Sequence, residues 1–409
     1  MLNALKKPNF LITILIAAWY IVPLVQERGG MLLIYALVAL FVLTSGSRHL
    51  VSTAYRFLGL VPFLLVLGLY VATGTGIYNG ITPIYFIASF LLVFIPFLVY
   101  RVLEEKFTEK EKALLLGFIY FFFIVGAVNT LIVLKQYPMA SRMMAQGENG
   151  DVYSKMGAGG FGFVYSLMFF ALIVVSRFKK AGRRERIVGL LSIVLFVYTI
   201  FECQYFTCIL LLMIGGILVI AARSKRGVGF VVFCTVLILF IIALLFYGNA
   251  ILKSVAGLFD EDGVINKRML DLAELFDSRD VETMESSRGR LYMKSLSGFL
   301  SHPITGTGFF GTAVSGGHST VLDTLSIYGL FGLACLVLPF WLMIREFRKA
   351  KVLNLAIVCV FVGLSFLNPT IYIYQFGAIV FLFAPLYANY TELQGEEESE
   401  SGETETGVE

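Results

Sequence analysis

Two arginines, one histidine and one aspartate between residues 288 and 323 are the side chains in this sequence best suited to chemistry. Arg288 and Arg290 lie in the stretch SSRGRLYMKSLSGFLSH. At helical spacing, Tyr292, Leu296 and Phe299 form an apolar stripe there, with Leu291 and Leu300 on its flanks. With Arg288 at the origin, Phe299 falls at about 20° and Tyr292 at about 40°, so Arg288 shares the apolar face. Arg290, at about 200°, sits beside Lys294 at about 240° on the solvent side. An inward arginine needs an anionic partner, because an unpaired buried charge is costly. A phosphate-bearing ligand would meet that need; so would a loop carboxylate, or snorkelling from the helix end. Arg290 is the weaker candidate for an anion ligand.

His318 stands before a long apolar run. Its imidazole could take a proton from a sugar hydroxyl, or it could simply cap the following helix; chemistry alone leaves both open. Asp323 falls about 140° from His318 on a helix, which disfavours direct pairing. It is expected to hydrogen-bond within the bundle, although an aspartate in a membrane helix is also a functional candidate. No metal or cofactor is expected. The three histidines, His49, His302 and His318, are scattered, and the five cysteines fall within apolar runs without CxxC spacing.

The elements that must position these residues follow from composition. The chain has 409 residues, 58% hydrophobic and only 15% charged, with a mean hydropathy of +0.83. Soluble domains carry about 25% charge. So few charges cannot cover the surface of a soluble protein this long, and lipid must solvate much of it. The formal net charge of +4 is small, and no basic face interleaved with aromatics suggests nucleic acid.

A membrane helix needs about 20 apolar residues, with scatter for tilt and breaks. Twelve runs qualify: 10–25, 31–44, 55–72, 81–100, 113–134, 158–176, 187–202, 205–222, 229–248, 319–344, 352–367 and 371–390. The run 187–222 is divided because Glu202 and Gln204 in FECQYF suit a tight turn better than a bilayer centre. With a cytoplasmic N-terminus, inner segments hold 21 Lys and Arg, against four in the short outer loops: Arg28, Lys135, Arg142 and Lys155. Both termini are therefore expected inside. The first run lacks a small-residue cleavage site and reads as an anchor rather than a signal peptide.

The expected organisation is an all-α polytopic membrane protein. Residues 1–248 form a first bundle of about nine spans, and 249–318 a long outer loop. Residues 319–390 form a second bundle of about three spans, and 391–409 an acidic disordered tail. Within the outer loop, Ile265, Met269, Leu272 and Phe276 repeat at helical spacing and predict an amphipathic helix at the interface. The second is the arginine-bearing helix. A glycine-rich stop follows, His302 to Gly311, whose glycines would make tight turns back to the bilayer; Pro303 makes His302 extended and structural.

At this point the residues resemble a known family. His318-Ser319, nine residues, Gly329, two residues and Gly332 look like the H-[NSQ]-x9-G-x2-G signature of the O-antigen ligase and polymerase superfamily. The preceding Ser287-Arg288, Tyr292, Ser295, Phe299, Pro303, Gly306 and Gly308 resemble the same family, as do twelve spans with a long loop after the ninth. The motifs fall within residues 287–332, roughly a tenth of the chain. The resemblance implies a metal-independent, GT-C-like membrane glycosyltransferase acting on polyprenyl-diphosphate-linked saccharides at the outer face of the bacterial cytoplasmic membrane. It implies catalytic roles for His318 and Arg288, and substrate contacts from Arg290, Ser319, Tyr292, Asp323 and Arg142, the last in outer loop 135–157. Family polymerases use a basic residue in that loop, but the spacing of Arg142 to Met156–Phe161 departs from a strict arginine-to-glycine motif. Expected partners are the lipid-linked oligosaccharide, membrane lipid, a chain-length regulator and a flippase. A ligase carries the same signature. Outside the family, a lipid-linked saccharide transporter is the main rival, but its polar site would lie near the midplane, and no repeat is visible here. A non-catalytic scaffold is a further alternative.

Overall fold

The structure, a computed structural model, describes residues 6–46, 57–72, 83–146, 150–221, 250, 252–258, 266–267, 269–270, 273, 288–349, 355–371 and 373–405. For Val71, Ala72, Pro83, Ala145, Gln146, Arg288, 346–349 and 395–405 it describes the backbone alone. Among these residues the chain is helical and carries no strand. The first helices are α1 (Pro8–Ile21), α2 (Pro23–Ser45), α3 (Val61–Ala72), α4 (Pro83–Lys106) and α5 (Glu109–Gln136). Two short helices follow, α6 (Ala140–Gln146) and α7 (Gly150–Lys155), then α8 (Phe161–Arg177), α9 (Arg183–Glu202) and α10 (Phe206–Ala221). The outer-loop helix α11 (Arg288–Ser301) precedes α12 (Thr320–Lys349), α13 (Leu355–Leu367) and α14 (Ala384–Glu405). A turn at Gln375–Gly377 and a π-helical segment Ala378–Phe383 lead into α14.

Five helical stretches are long and apolar enough to cross a membrane: Pro23–Ser45, Ile84–Lys106, Glu109–Gln136, Thr320–Arg345 and Gln375–Gln394. Shorter apolar helices lie over five of the other expected runs; 187–202 falls on Arg183–Glu202, a helix in neither group, and 229–248 is outside the described residues. Most of the helix expected around Ile265–Phe276 is outside them too. The bundle surface supports a lipid solvent, since Leu32, Leu43, Leu65, Leu191 and Ile220 are all exposed.

Local chemistry decides several boundaries. The first run stops at Ile21 rather than Val25 because Pro23 holds Val22 extended, at φ −90° and ψ 111°. α1 and α2 then run antiparallel. Asn9 Nδ2 donates to the Thr44 carbonyl at 3.0 Å, and Trp19 Nε1 donates to that of Gly30 at 3.0 Å. The turn expected in FECQYF is present: α9 ends at Glu202, and Gln204 takes the left-handed conformation with φ 54°. α14 continues through the Glu-rich stretch to Glu405. Glutamate is a good helix former, and a preceding membrane helix removes the cost of nucleation.

α8 is the central element. Every residue from Phe163 to Val174 is buried, as befits a helix apolar on all sides. Much of the phenylalanine content is spent around it. Phe170 stacks on Phe383 at 4.2 Å and meets Phe196 edge-on at 5.1 Å, while Phe169 meets Phe376 at 5.7 Å.

Charged contacts tie the helix ends at the side of the bundle opposite residue 318. Lys7 pairs with Glu111 at 2.7 Å, and Lys106 Nζ donates to the Ser45 carbonyl. Buried Arg177 pairs with Glu392 at 2.8 Å, Lys180 joins at 3.2 Å, and Gly182 N–H donates to Gln394 Oε1 at 3.0 Å. Glu392→Ala leaves the Arg177 guanidinium without this partner. It should lower unfolding stability by about 1–3 kcal/mol, read as a fall in the melting temperature of the detergent-solubilised protein, whereas Lys180→Ala should shift it little.

Candidate functional site

The site is built where α12 breaks. Gly329, at φ 67° and ψ −169°, interrupts the helix after Tyr328. The break frees the N–H groups of Leu330 and Phe331 from intrahelical partners, as at any helix start. They donate instead to the Pro303 and Ile304 carbonyls, at 2.9 and 3.1 Å. The glycine-rich stop therefore lies across the break and caps the second half of α12. Contact is so close that a Cβ on Gly329 would strike the Ile304 carbonyl, and one on Gly306, at φ 76°, would strike that of Ile327. Gly329→Val meets both strain and collision. It should cost at least about 3 kcal/mol, seen as lost folded protein in detergent, while Gly311→Ala, with open space around it, should be milder.

Between the stop and α12, the chain folds back along α11. Thr307 Oγ1 donates to the Ser326 carbonyl at 3.0 Å and accepts from Val314 N–H at 3.0 Å. Ser326 Oγ donates to the Val314 carbonyl at 2.5 Å. Gly316 then passes directly over the Leu291 carbonyl of α11, leaving no room for a side chain.

Asp323 locks this arrangement. Its carboxylate is fully buried in the first turn of α12. Oδ1 accepts from Ser295 Oγ at 2.5 Å, Gly316 N–H at 3.2 Å and Gly317 N–H at 3.1 Å. Oδ2 accepts from Ser319 N–H at 3.0 Å. Charge-assisted bonds of this kind are the strong ones. The donors bracket residue 318, so the carboxylate grips the turn that carries His318 and bridges it to α11. His318 itself is exposed.

The other expected residues divide. Ser319 is fully buried and caps α12: its Oγ accepts from Leu322 N–H at 3.1 Å and donates to the Ser365 carbonyl at 3.4 Å. Tyr292 spends its hydroxyl on the Leu367 carbonyl at the end of α13, at 2.8 Å. Both are seated as supports of the site. Arg290 is exposed, as its helical position predicts, and Arg288 begins α11. Arg142 is half-buried on α6, a separate short helix. That helix is tied down by Ser141, whose Oγ donates to the Gly159 carbonyl at 2.7 Å and whose carbonyl accepts from Tyr205 hydroxyl at 2.7 Å. The structure thus gathers the α11, 302–319 and α12 residues into one unit, with Arg142 on another.

Two contributions had no sequence signal. Thr320 Oγ1 accepts from Thr370 N–H at 2.6 Å and Ile371 N–H at 3.2 Å, joining the start of α12 to the turn after α13. Thr370 also lines an apolar crevice walled by Val93, Phe169, Phe340, Phe361 and Phe381. Among the described residues, no group of three or more His, Cys, Asp or Glu side chains could hold a metal ion. Comparison with known proteins finds no family model that matches this chain and no curated protein with significant similarity to it.

Proposed function

We propose that this chain is a twelve-span, GT-C-like membrane glycosyltransferase. It would polymerise polyprenyl-diphosphate-linked oligosaccharide repeat units into capsular, exo- or O-antigen polysaccharide. The supporting observation is the exposed His318, carried on a turn that Asp323 fixes against the helix headed by Arg288. The active site faces outward from a bacterial cytoplasmic membrane, with both termini inside. The charge bias of the loops supports that orientation, as does the collection of Lys7, Lys106, Arg177 and Lys180 at the opposite end of the bundle.

The chemistry is a direct displacement. An acceptor hydroxyl oxygen attacks the anomeric carbon of the donor from the face opposite its diphosphate. The new C–O bond forms as the old one breaks, and its electron pair leaves on the diphosphate, so the configuration inverts. His318 takes the hydroxyl proton on a ring nitrogen and later gives it to water. Arg288, and Arg290 from the solvent side, hold the departing anion and stabilise its growing charge. The partners are a flippase that supplies the repeat unit and a chain-length regulator.

The test is a size profile of lipid-linked saccharides from source cells lacking the gene, with and without the wild-type copy. The expected result is single repeat units on the outer leaflet without it and long chains with it. Long chains left on the lipid would mean a ligase, and units trapped on the inner leaflet a flippase; either would overturn the polymerase reading.

A further inference from the structure

The helix and turn that carry the site expose a flank that water should not solvate. Met293 and Leu300 on α11 are 55% and 67% exposed, Ile304 68%, and Phe309 and Phe310 49% and 55%. Phe331, 60% exposed, adjoins them, because its N–H is bonded to the Ile304 carbonyl. Moving one such side chain out of water is worth about 1.5–3 kcal/mol, so a cluster of six demands an apolar neighbour. The neighbour follows from continuity. Below the break at Gly329, Leu330, Val337 and Trp341 are exposed and lie within about 40° of one another on the α12 wheel. That stripe belongs to a stretch long and apolar enough to cross a membrane. Phe331, bonded to Ile304 and next in the chain to Leu330, joins the flank to the head of this stripe. On α11, exposed Arg290 and Lys294 lie about 60–120° round from Met293 and Leu300. A helix divided in this way rests at an interface, with its apolar sector among acyl chains and its cations among phosphates.

We propose that this flank is a wedge immersed in the acyl chains of the leaflet on the His318 side. Helix α11 then lies at headgroup depth, and His318 opens at the level of lipid phosphates. The inference does not depend on the reaction proposed above.

Depth measurement tests it in the full-length protein. Phe310→Cys, Met293→Cys and Lys294→Cys are each made with Cys234 and Cys359 replaced by alanine, labelled with an environment-sensitive fluorophore, and reconstituted into phosphatidylethanolamine–phosphatidylglycerol vesicles. Labels at 310 and 293 should emit at shorter wavelength and be quenched severalfold more by spin-labelled acyl chains than by aqueous iodide. The label at 294 should show the reverse. Iodide quenching at 310 and 293 equal to that at 294 would overturn the proposal. So would protection of both from either quencher, which would mean coverage by another protein or a second copy. Two independent apolar positions keep the result decisive if one variant misfolds.

Discussion

Replacing His318 by alanine should give a folded, membrane-inserted protein that makes no long polymer. His318 is exposed, so its removal creates no cavity and should change stability by about 0.5 kcal/mol or less. Loss of a positioned general base costs about 10²–10⁴ in rate, enough to abolish visible chain growth. Arg288→Ala should act on a different part of the same step. With the diphosphate less well stabilised as it departs, the rate should fall by about 10²–10³. Arg288→Lys should recover little of it, because an ammonium point charge does not reproduce the planar fork of guanidinium. The measurements are the chain-length profile of lipid-linked saccharide and the melting temperature of each purified variant. Wild-type polymer from both His318→Ala and Arg288→Ala would remove the catalytic assignment, whereas loss of the folded protein would mean that these residues serve structure.

How much of this was legible in the sequence depended on whether a signal was local. Apolar runs and turn residues are local, so helices appear over the expected runs within the described residues, and the division at Cys203–Gln204 falls where FECQYF placed it. Proline set one boundary that the apolar run overshot, at Val22–Pro23. Helical spacing likewise gave the outward direction of Arg290. The wiring of the site is not local. Ser295 and Gly316 meet Asp323 only because α11 folds back onto α12, and a wheel centred on His318 could disfavour a side-chain pair but not reveal a bond to the surrounding backbone. Gly306 reads as a turn and Gly329 as a signature residue within the run 319–344, yet their common role is the crossing of two backbones 23 positions apart in the sequence. Ser319 illustrates the same limit. The resemblance implies a substrate contact for it, while its burial and its bond from Leu322 N–H, which make it a helix cap, could not be read from the signature.

Asp323 should prove to be the positioning residue on which the histidine depends, separable from any substrate ligand. Its carboxylate is fully buried and receives four donors, so no valence faces outward to a saccharide. Asp323→Ala removes this acceptor from the Gly317 and Ser319 N–H groups and from the Ser295 hydroxyl, which keeps the Leu291 carbonyl at 3.3 Å; Gly316 N–H keeps Ser295 Oγ, at 2.8 Å. Charge-assisted bonds to a buried carboxylate are lost together, and the loss should be about 2–4 kcal/mol. Asp323→Asn is the sharper probe. The amide oxygen can retain the three donors on the Oδ1 side, but its NH₂ then confronts the Ser319 N–H, donor against donor. That exchange should cost about 1–3 kcal/mol, leaving a folded protein whose residue 318 is no longer held in one place. A displacement near 1 Å can cost about 10²-fold in rate. With lipid-linked repeat unit titrated over purified Asp323→Asn, kcat should fall by about that factor while KM holds. Ser295→Ala, which removes a single donor from Oδ1, should move kcat in the same direction by less. A rise in KM at constant kcat would instead make Asp323 a substrate ligand, and wild-type kinetics with a lowered melting temperature would make the clamp purely structural.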